Sequence, residues 1–192
     1  MKSLDLILYL FKLRVVLLMS DEHLKNDVKF SNLNFSIIII SDSRYKQLQE
    51  NQQIDDKTIP IVKEILMKFG HNLISEDIVP DEADKIKEKI NLVIDKYKPH
   101  IIITSGGTGI AKRDVTIETM GSIYEKELPG FGELFRSLSY KQIGVNSILS
   151  RASAGIYRET LIFNLPGSPK AVKLALEKII IPVSSHSIAM LR

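Results

Sequence analysis

Ile37-Ile38-Ile39-Ile40, following Phe35-Ser36, is an unbroken β-branched run with no alternating polar positions. Such a run predicts a strand covered on both faces of its sheet. It stops at Ser41-Asp42-Ser43-Arg44. Ile61, Ile65, Leu66 and Phe69 then recur at helical spacing between Thr58-Ile59-Pro60 and Gly70, which predicts a helix ended by a permissive glycine. Asn72 to Val79 reads as a second strand and Pro80-Asp81-Glu82 as a turn. Ile86, Ile90, Val93, Ile94 and Tyr97 mark the apolar face of a second helix, closed by Pro99. His100-Ile101-Ile102-Ile103-Thr104 repeats the buried-strand pattern and runs directly into Ser105-Gly106-Gly107-Thr108-Gly109.

Strand, helix, strand, helix, strand with short connections implies right-handed crossovers, and so an α/β fold: three layers, α-β-α, around a mostly parallel sheet with helices on both faces. Ligands of such sheets bind at the carboxyl ends of the strands. The second half is less regular. Ile117 to Leu128 and Phe131 to Tyr140 are expected to be helical, and Ser147 to Arg151 short and extended. Thr160 to Leu165 is a strand ending at Pro166-Gly167-Ser168-Pro169, and Val172, Leu174, Ala175 and Ile179 place a last helix after that loop. With no internal repeat or linker, the reading is a single domain over 35–182, an N-terminal extension over 1–34 and a C-terminal tail over 183–192.

Composition narrows the chemistry. The chain has 192 residues, 44% hydrophobic and 26% charged, so a core can form and wholesale disorder is excluded. Its net charge is only +3 and no Lys/Arg run appears, which gives no footprint for nucleic acid. There is no cysteine, so thiolate metal sites, Fe–S clusters and Cys nucleophiles are impossible. Leu4 to Met19 is apolar, but Asp5, Lys12 and Arg14 interrupt it before it reaches the roughly 20 residues of a spanning helix. The expectation is a cytoplasmic protein without a membrane span. Residues 1–18 read either as a start-site artefact, with Met19 as the true start, or as an amphipathic segment packed on a neighbouring subunit.

The glycines of Ser105-Gly106-Gly107-Thr108-Gly109 let backbone approach a ligand and aim N–H groups at an anion; the alternative is a tight turn with no ligand. Neither Walker A nor the three-glycine Rossmann spacing is present. Asp114, beside Lys112 and Arg113, is a candidate Mg²⁺ anchor, since hard cations prefer oxygen ligands. Asp81 falls at the end of the preceding strand, on the same edge of the sheet. Both could equally be helix-start residues. Pro166-Gly167-Ser168 offers a second anion-receptive loop, or simply an N-cap, and Ser150-Arg151 a bidentate grip on an anion, or a subunit salt bridge. His23, His71, His100 and His186 show no metal-ligand spacing, and no His pairs with a Ser as in a triad.

Taken in order, Thr104 to Gly109, Arg113-Asp114-Val115-Thr116, Pro129-Gly130-Phe131-Gly132-Glu133, Leu149-Ser150-Arg151-Ala152 and Leu165 to Val172 resemble the MoaB/MogA family of molybdenum cofactor biosynthesis proteins. The resemblance spans Phe35 to about Pro182. The segment from Phe135-Arg136 to Gly144, with Ser139 and Ile143, is more similar to the MoaB branch.

The resemblance implies a molybdopterin-binding domain that converts molybdopterin and ATP, with Mg²⁺, to adenylyl-molybdopterin and pyrophosphate, and passes the product to a MoeA-like molybdate insertion enzyme. It assigns Asp81 and Asp114 to catalysis and Mg²⁺. It assigns Thr104, Ser105, Gly106, Gly107, Thr108, Gly109, Arg113, Ser150, Arg151, Pro166, Gly167 and Ser168 to substrate binding. A homo-oligomer is implied, a hexamer ahead of a trimer, with the apolar segment 131–140 or the N-terminus as a source of contacts. Where much of the family carries a glycine, this chain has Asp56-Lys57-Thr58, which predicts another loop shape or another substrate contact. Two other functions compete with the enzyme: a non-catalytic pterin-binding scaffold, and a generic nucleotide hydrolase on the same fold.

Overall fold

The computed structural model describes residues 32–191. Expectations for residues 1–31, including the extension, His23 and the two readings of the start, lie outside the described residues. Six strands form one sheet in the order β2-β1-β3-β6-β5-β4. They are β1 (Asn34–Ile40), β2 (Asn72–Val79), β3 (Ile101–Ser105), β4 (Lys126–Glu127), β5 (Ser153–Tyr157) and β6 (Thr160–Leu165). The four strands from β2 to β6 are parallel; β5 runs antiparallel to β6, and β4 antiparallel to β5. The α/β reading therefore holds, with an antiparallel edge added.

Alternation along β1 divides the core into two layers. Phe35, Ile37 and Ile39 face α2 (Thr58–Lys68), α5 (Pro129–Ile143) and a C-terminal helix. Ile38 and Ile40 face α3 (Ala83–Tyr97) and α4 (Thr116–Gly121). All five of these β1 residues are buried, and burial of each large apolar side chain stabilises the fold by roughly 1.5–3 kcal/mol. The C-terminal helix comprises α6 (Pro169–Ala175), a π-helical turn (Leu176–Ile180) and α7 (Ile181–Leu191), continuous over 23 residues. Its length and mean hydropathy of 1.4 would suit a membrane span. Here Val172, Ala175, Leu176, Ile179, Ile180 and Ile188 instead pack into the core. Helix continues through residues 183–191, with Ile188 only 2% exposed.

Two expectations are corrected. Residues 117–128 are not one helix: α4 stops at Gly121 and β4 pairs with β5, because Tyr124 must turn inward to be buried against Gly155. The segment expected to be extended begins as a 3₁₀ turn, Gly144–Leu149. Ser41-Asp42-Ser43-Arg44 opens α1 (Asp42–Gln49), with the Ser41 hydroxyl accepting from the Arg44 N–H. α1 buries no residue, which is why periodicity did not reveal it. Phe131 and Phe135 are buried and stacked on each other, as core residues of this chain.

The register positions the site. Val79 pairs with Ile40, Ile39 with Ser105, and Ser105 with Leu165, so β2, β1, β3 and β6 finish level. Asp81, Asp42, Gly106 and Pro166 thus emerge on one edge, at the carboxyl ends of the strands. The strand order reverses between β1 and β3, the topological switch point where open α/β sheets bind ligands.

Candidate functional site

The loop after β3 is wedged against its surroundings. Gly106 has φ +123°, and a Cβ there would lie 2.0 Å from the Ile40 carbonyl oxygen, so only glycine allows this approach. Its N–H donates to the Leu165 carbonyl at 3.0 Å, and its own carbonyl accepts from the Thr116 hydroxyl at 3.0 Å. The Thr116 N–H donates to the Gly107 carbonyl at 3.1 Å, which folds the loop back onto the start of α4. Asp114 closes the loop on itself: its Oδ2 accepts from the Ala111 N–H at 2.9 Å.

Asp81 reaches the same loop from β2. Its Oδ1 accepts from the Val115 N–H at 3.3 Å, and its own N–H donates to Asp42 Oδ1 at 2.8 Å. Partial burial raises its pKa above the ordinary value, and the charges of Asp114 and Asp42 raise it further, against the Val115 bond and Arg113. Negative charge from Asp81, Asp114 and Asp42, only partly offset by Arg113, therefore collects beside the glycine loop.

A cavity of about 490 Å³ opens between the glycine loop and the C-terminal helix. Gly106, Gly107, Thr108, Gly109 and Asp114 form one wall, and Pro166, Gly167, Ser168 and Lys170 another. The third wall comes from α5 and the 3₁₀ turn, through Phe135, Ser139, Gln142, Ile143, Leu149 and Ser150. The glycine loop thus offers polar backbone, and Phe135, Ile143 and Leu149 add apolar surface on the third wall, which suits a ligand that joins an anion to a flat ring. Ser168 occupies the N-cap position of α6, but its hydroxyl makes no capping bond.

Other residues singled out in the sequence stand outside the cavity wall. Thr104 is buried and donates to Asn164 Oδ1 at 2.7 Å, while the Ser105 hydroxyl donates to the Pro166 carbonyl at 3.2 Å; both join the two loops from within. Arg113 is exposed. Arg151 donates through Nη2 to the Asp114 carbonyl at 3.1 Å and pairs with Glu118. Asp81 does not line the cavity, but its carboxylate abuts Gly107. Asp56 does something else: its Oδ1 accepts from the N–H groups of Thr58 and Ile59 at 2.8 and 2.7 Å, and Arg44 Nε lies 3.2 Å from its Oδ2. Thr58 is the first residue of α2 and does not have a positive φ, so the backbone at this position needs no glycine. Among the described histidines, His71 and His100 accept through Nδ1 from the Leu33 and Asn34 N–H groups.

Sequence reasoning missed the contact of Asp42 with Asp81 and the places of Ser139, Gln142 and Lys170 in the cavity wall. The spacing 135, 139, 142 and 143 marks one face of α5, but which face looks into the cavity is set only by packing. Among the described residues no group of three or more His, Asp or Glu side chains is placed to hold a metal.

A family model described as a probable molybdopterin binding domain matches residues 36–186. A probable molybdopterin adenylyltransferase from Methanocaldococcus jannaschii is 39% identical over 164 residues, 85% of this chain and 97% of that protein. Molybdenum cofactor biosynthesis protein B of Bacillus subtilis is 40% identical over 157 residues, covering 81% and 88%. Among solved structures, a molybdenum cofactor biosynthesis protein B superposes with a TM-score of 0.77 at 38% identity, covering 84% of this chain and 96% of that one. The tungsten cofactor synthesizing protein MoaB from Pyrococcus furiosus gives 0.72 at 36%, covering 84% and 98%. With its glycine loop, level strand ends and cavity at the carboxyl ends of β3 and β6, the chain belongs to the MoaB/MogA family of molybdopterin-binding, molybdenum cofactor biosynthesis proteins.

Proposed function

We propose that the protein is a molybdopterin adenylyltransferase. A phosphate oxygen of molybdopterin attacks the α-phosphorus of ATP, the bond to the β-phosphate breaks, and adenylyl-molybdopterin and pyrophosphate result. The observation that carries this reading is the cavity itself: two anion-receptive loops and the Asp114 carboxylate face a shared space with apolar surface on its third wall. Phosphoryl chemistry of this kind depends on positioning and charge neutralisation and needs no covalent residue. The glycine loop supplies backbone N–H groups, Lys170 a cation at the opposite wall, and Phe135, Ile143 and Leu149 an apolar surface for a ring.

Mg²⁺ fits this arrangement. It is typically held by one or two carboxylates plus substrate phosphates, not by an all-protein cage. Asp114, which lines the cavity, would hold the ion, with the Asp81 carboxylate behind the loop. Bound there, the ion would neutralise phosphate charge. The sites of substrate binding are assigned to Gly106 to Gly109, Ser150 and Pro166 to Ser168, with Thr104 and Ser105 holding the loops and Arg113 contributing charge.

The reading extends to a cytoplasmic homo-oligomer, a hexamer ahead of a trimer, that delivers its product to a MoeA-like insertion enzyme. Exposed apolar side chains at Tyr140, Ile143, Val145 and Ile148 support self-association, and sedimentation of the full chain tests it. One observation favours a binding-only scaffold: Asp81 is not part of the cavity wall. Incubation of the protein with molybdopterin, ATP and Mg²⁺, following pyrophosphate and adenylyl-molybdopterin, decides between them. Product supports the enzyme, and tight pterin binding without product supports the scaffold.

A further inference from the structure

Arg151 connects three parts of the site without lining the cavity. It follows Ser150, a wall residue, in the connection between the 3₁₀ turn and β5. Its Nη2 donates to the Asp114 carbonyl at 3.1 Å, on the glycine-loop side, and its Nη1 pairs with Glu118 on α4. The bond from Arg151 is the leading cause of a lowered Glu118 pKa. Arg151 Nε is sealed from solvent without a hydrogen-bond partner. Withdrawing a donor from water is costly, so the guanidinium is held in place by its other two contacts. Each of its terminal nitrogens already bonds to protein, so the guanidinium is oriented by Asp114 and Glu118.

We propose that Arg151 is a positioning residue: a latch that fixes the Asp114 peptide to the cavity wall that carries Ser150. The ion pair with Glu118 is open to solvent on the Glu118 side and adds little to stability. The latch acts on geometry instead, because Asp114 Oδ2 is aimed by the same short turn whose carbonyl Arg151 holds. Its catalytic consequence rests on the adenylyltransferase reading of the site.

The test combines steady-state kinetics with amide hydrogen exchange on the full chain and on Arg151→Ala, Arg151→Lys and Glu118→Gln. The latch predicts that Arg151→Ala lowers kcat about 10- to 100-fold with KM for ATP and molybdopterin within about threefold, since loss of alignment acts on the transition state. Arg151→Lys keeps the charge but has one nitrogen for two acceptors, and falls between. Glu118→Gln changes only an exposed side chain, so it folds, and lowers kcat severalfold. Exchange at the Asp114, Val115 and Thr116 amides accelerates about tenfold in Arg151→Ala while β1 and β3 stay protected. A raised KM with unchanged kcat would return Arg151 to gripping substrate and overturn the latch, as would unchanged exchange in Arg151→Ala. If the wild type forms no product, the adenylyltransferase reading fails by itself. Loop exchange then decides the latch: acceleration supports it and no change overturns it.

Discussion

Gly107 stands so close to Asp81 that a Cβ on the glycine would lie 2.6 Å from the carboxylate Oδ1, and 2.2 Å from the Thr116 hydroxyl. The glycine also has φ +61°, a region that side chains rarely adopt. A methyl group here must displace either the carboxylate or the start of α4. Gly107→Ala is expected to destabilise the fold by about 1–3 kcal/mol, measured by urea unfolding, and to abolish adenylylation.

Asp81 links function to stability through pH. Its folded-state pKa is raised, chiefly by burial, so the folded protein holds this proton more tightly than the unfolded chain. The resulting penalty is absent below the unfolded value and grows as pH rises through the window up to the folded one. Asp81→Asn should therefore raise Tm at pH 7, lose that advantage near pH 3, and be inactive at both. Thermal unfolding across this range checks the sign. An equal Tm gain at both pH values would count against it.

Asn164 ties the two site loops together from inside the sheet. Its Oδ1 accepts from Thr104, and its Nδ2 donates to Ser153 Oγ at 2.9 Å and to the Tyr124 hydroxyl. Asn164→Leu leaves Thr104 and Tyr124 without this partner, and is expected to cost about 1–3 kcal/mol in denaturant unfolding. Burial pushes the Tyr124 phenol up to about 12, in spite of bonds to Ser153 and Asn164 that act the other way. The stability it lends is complete below the unfolded tyrosine value near 10 and is lost as pH rises towards about 12. Tyr124→Phe should flatten that alkaline loss.

Asp56 spends its carboxylate on the first turn of α2 and on Arg44. Replacing such a cap removes about 0.5–2 kcal/mol. Asp56→Ala should show that loss in calorimetry, and Thr58→Gly should not improve turnover, because the backbone at Thr58 needs no positive φ.

The parallel half of the fold was legible because β1 and β3 are covered on both faces and carry unbroken isoleucine runs. The antiparallel edge was not. β4 has two residues, both exposed, and β5 reads Ser153-Ala154-Gly155, where the absence of a side chain at Gly155 makes room for the Tyr124 ring. The glycine loop, Asp114 and Pro166 to Ser168 were recognisable as chemistry at strand ends, and the register brings them together. Gln142 and Lys170 were not recognisable, since they sit on helices whose orientation towards the cavity is fixed by tertiary packing, and Asp42 was not because its contact with the Asp81 N–H comes from a helix with no apolar pattern. Thr104 was read as a substrate contact; the structure places it in the buried network that holds the loops.

Adenylylation of molybdopterin at this site is tested by transfer of label from ATP marked at the α-phosphate to molybdopterin, by the wild type and by Asp114→Ala. Labelled adenylyl-molybdopterin with equivalent pyrophosphate is expected from the wild type, and a rate at least about 100-fold lower from the variant. Undiminished transfer by Asp114→Ala, or a wild type that binds molybdopterin without transferring label, would contradict it.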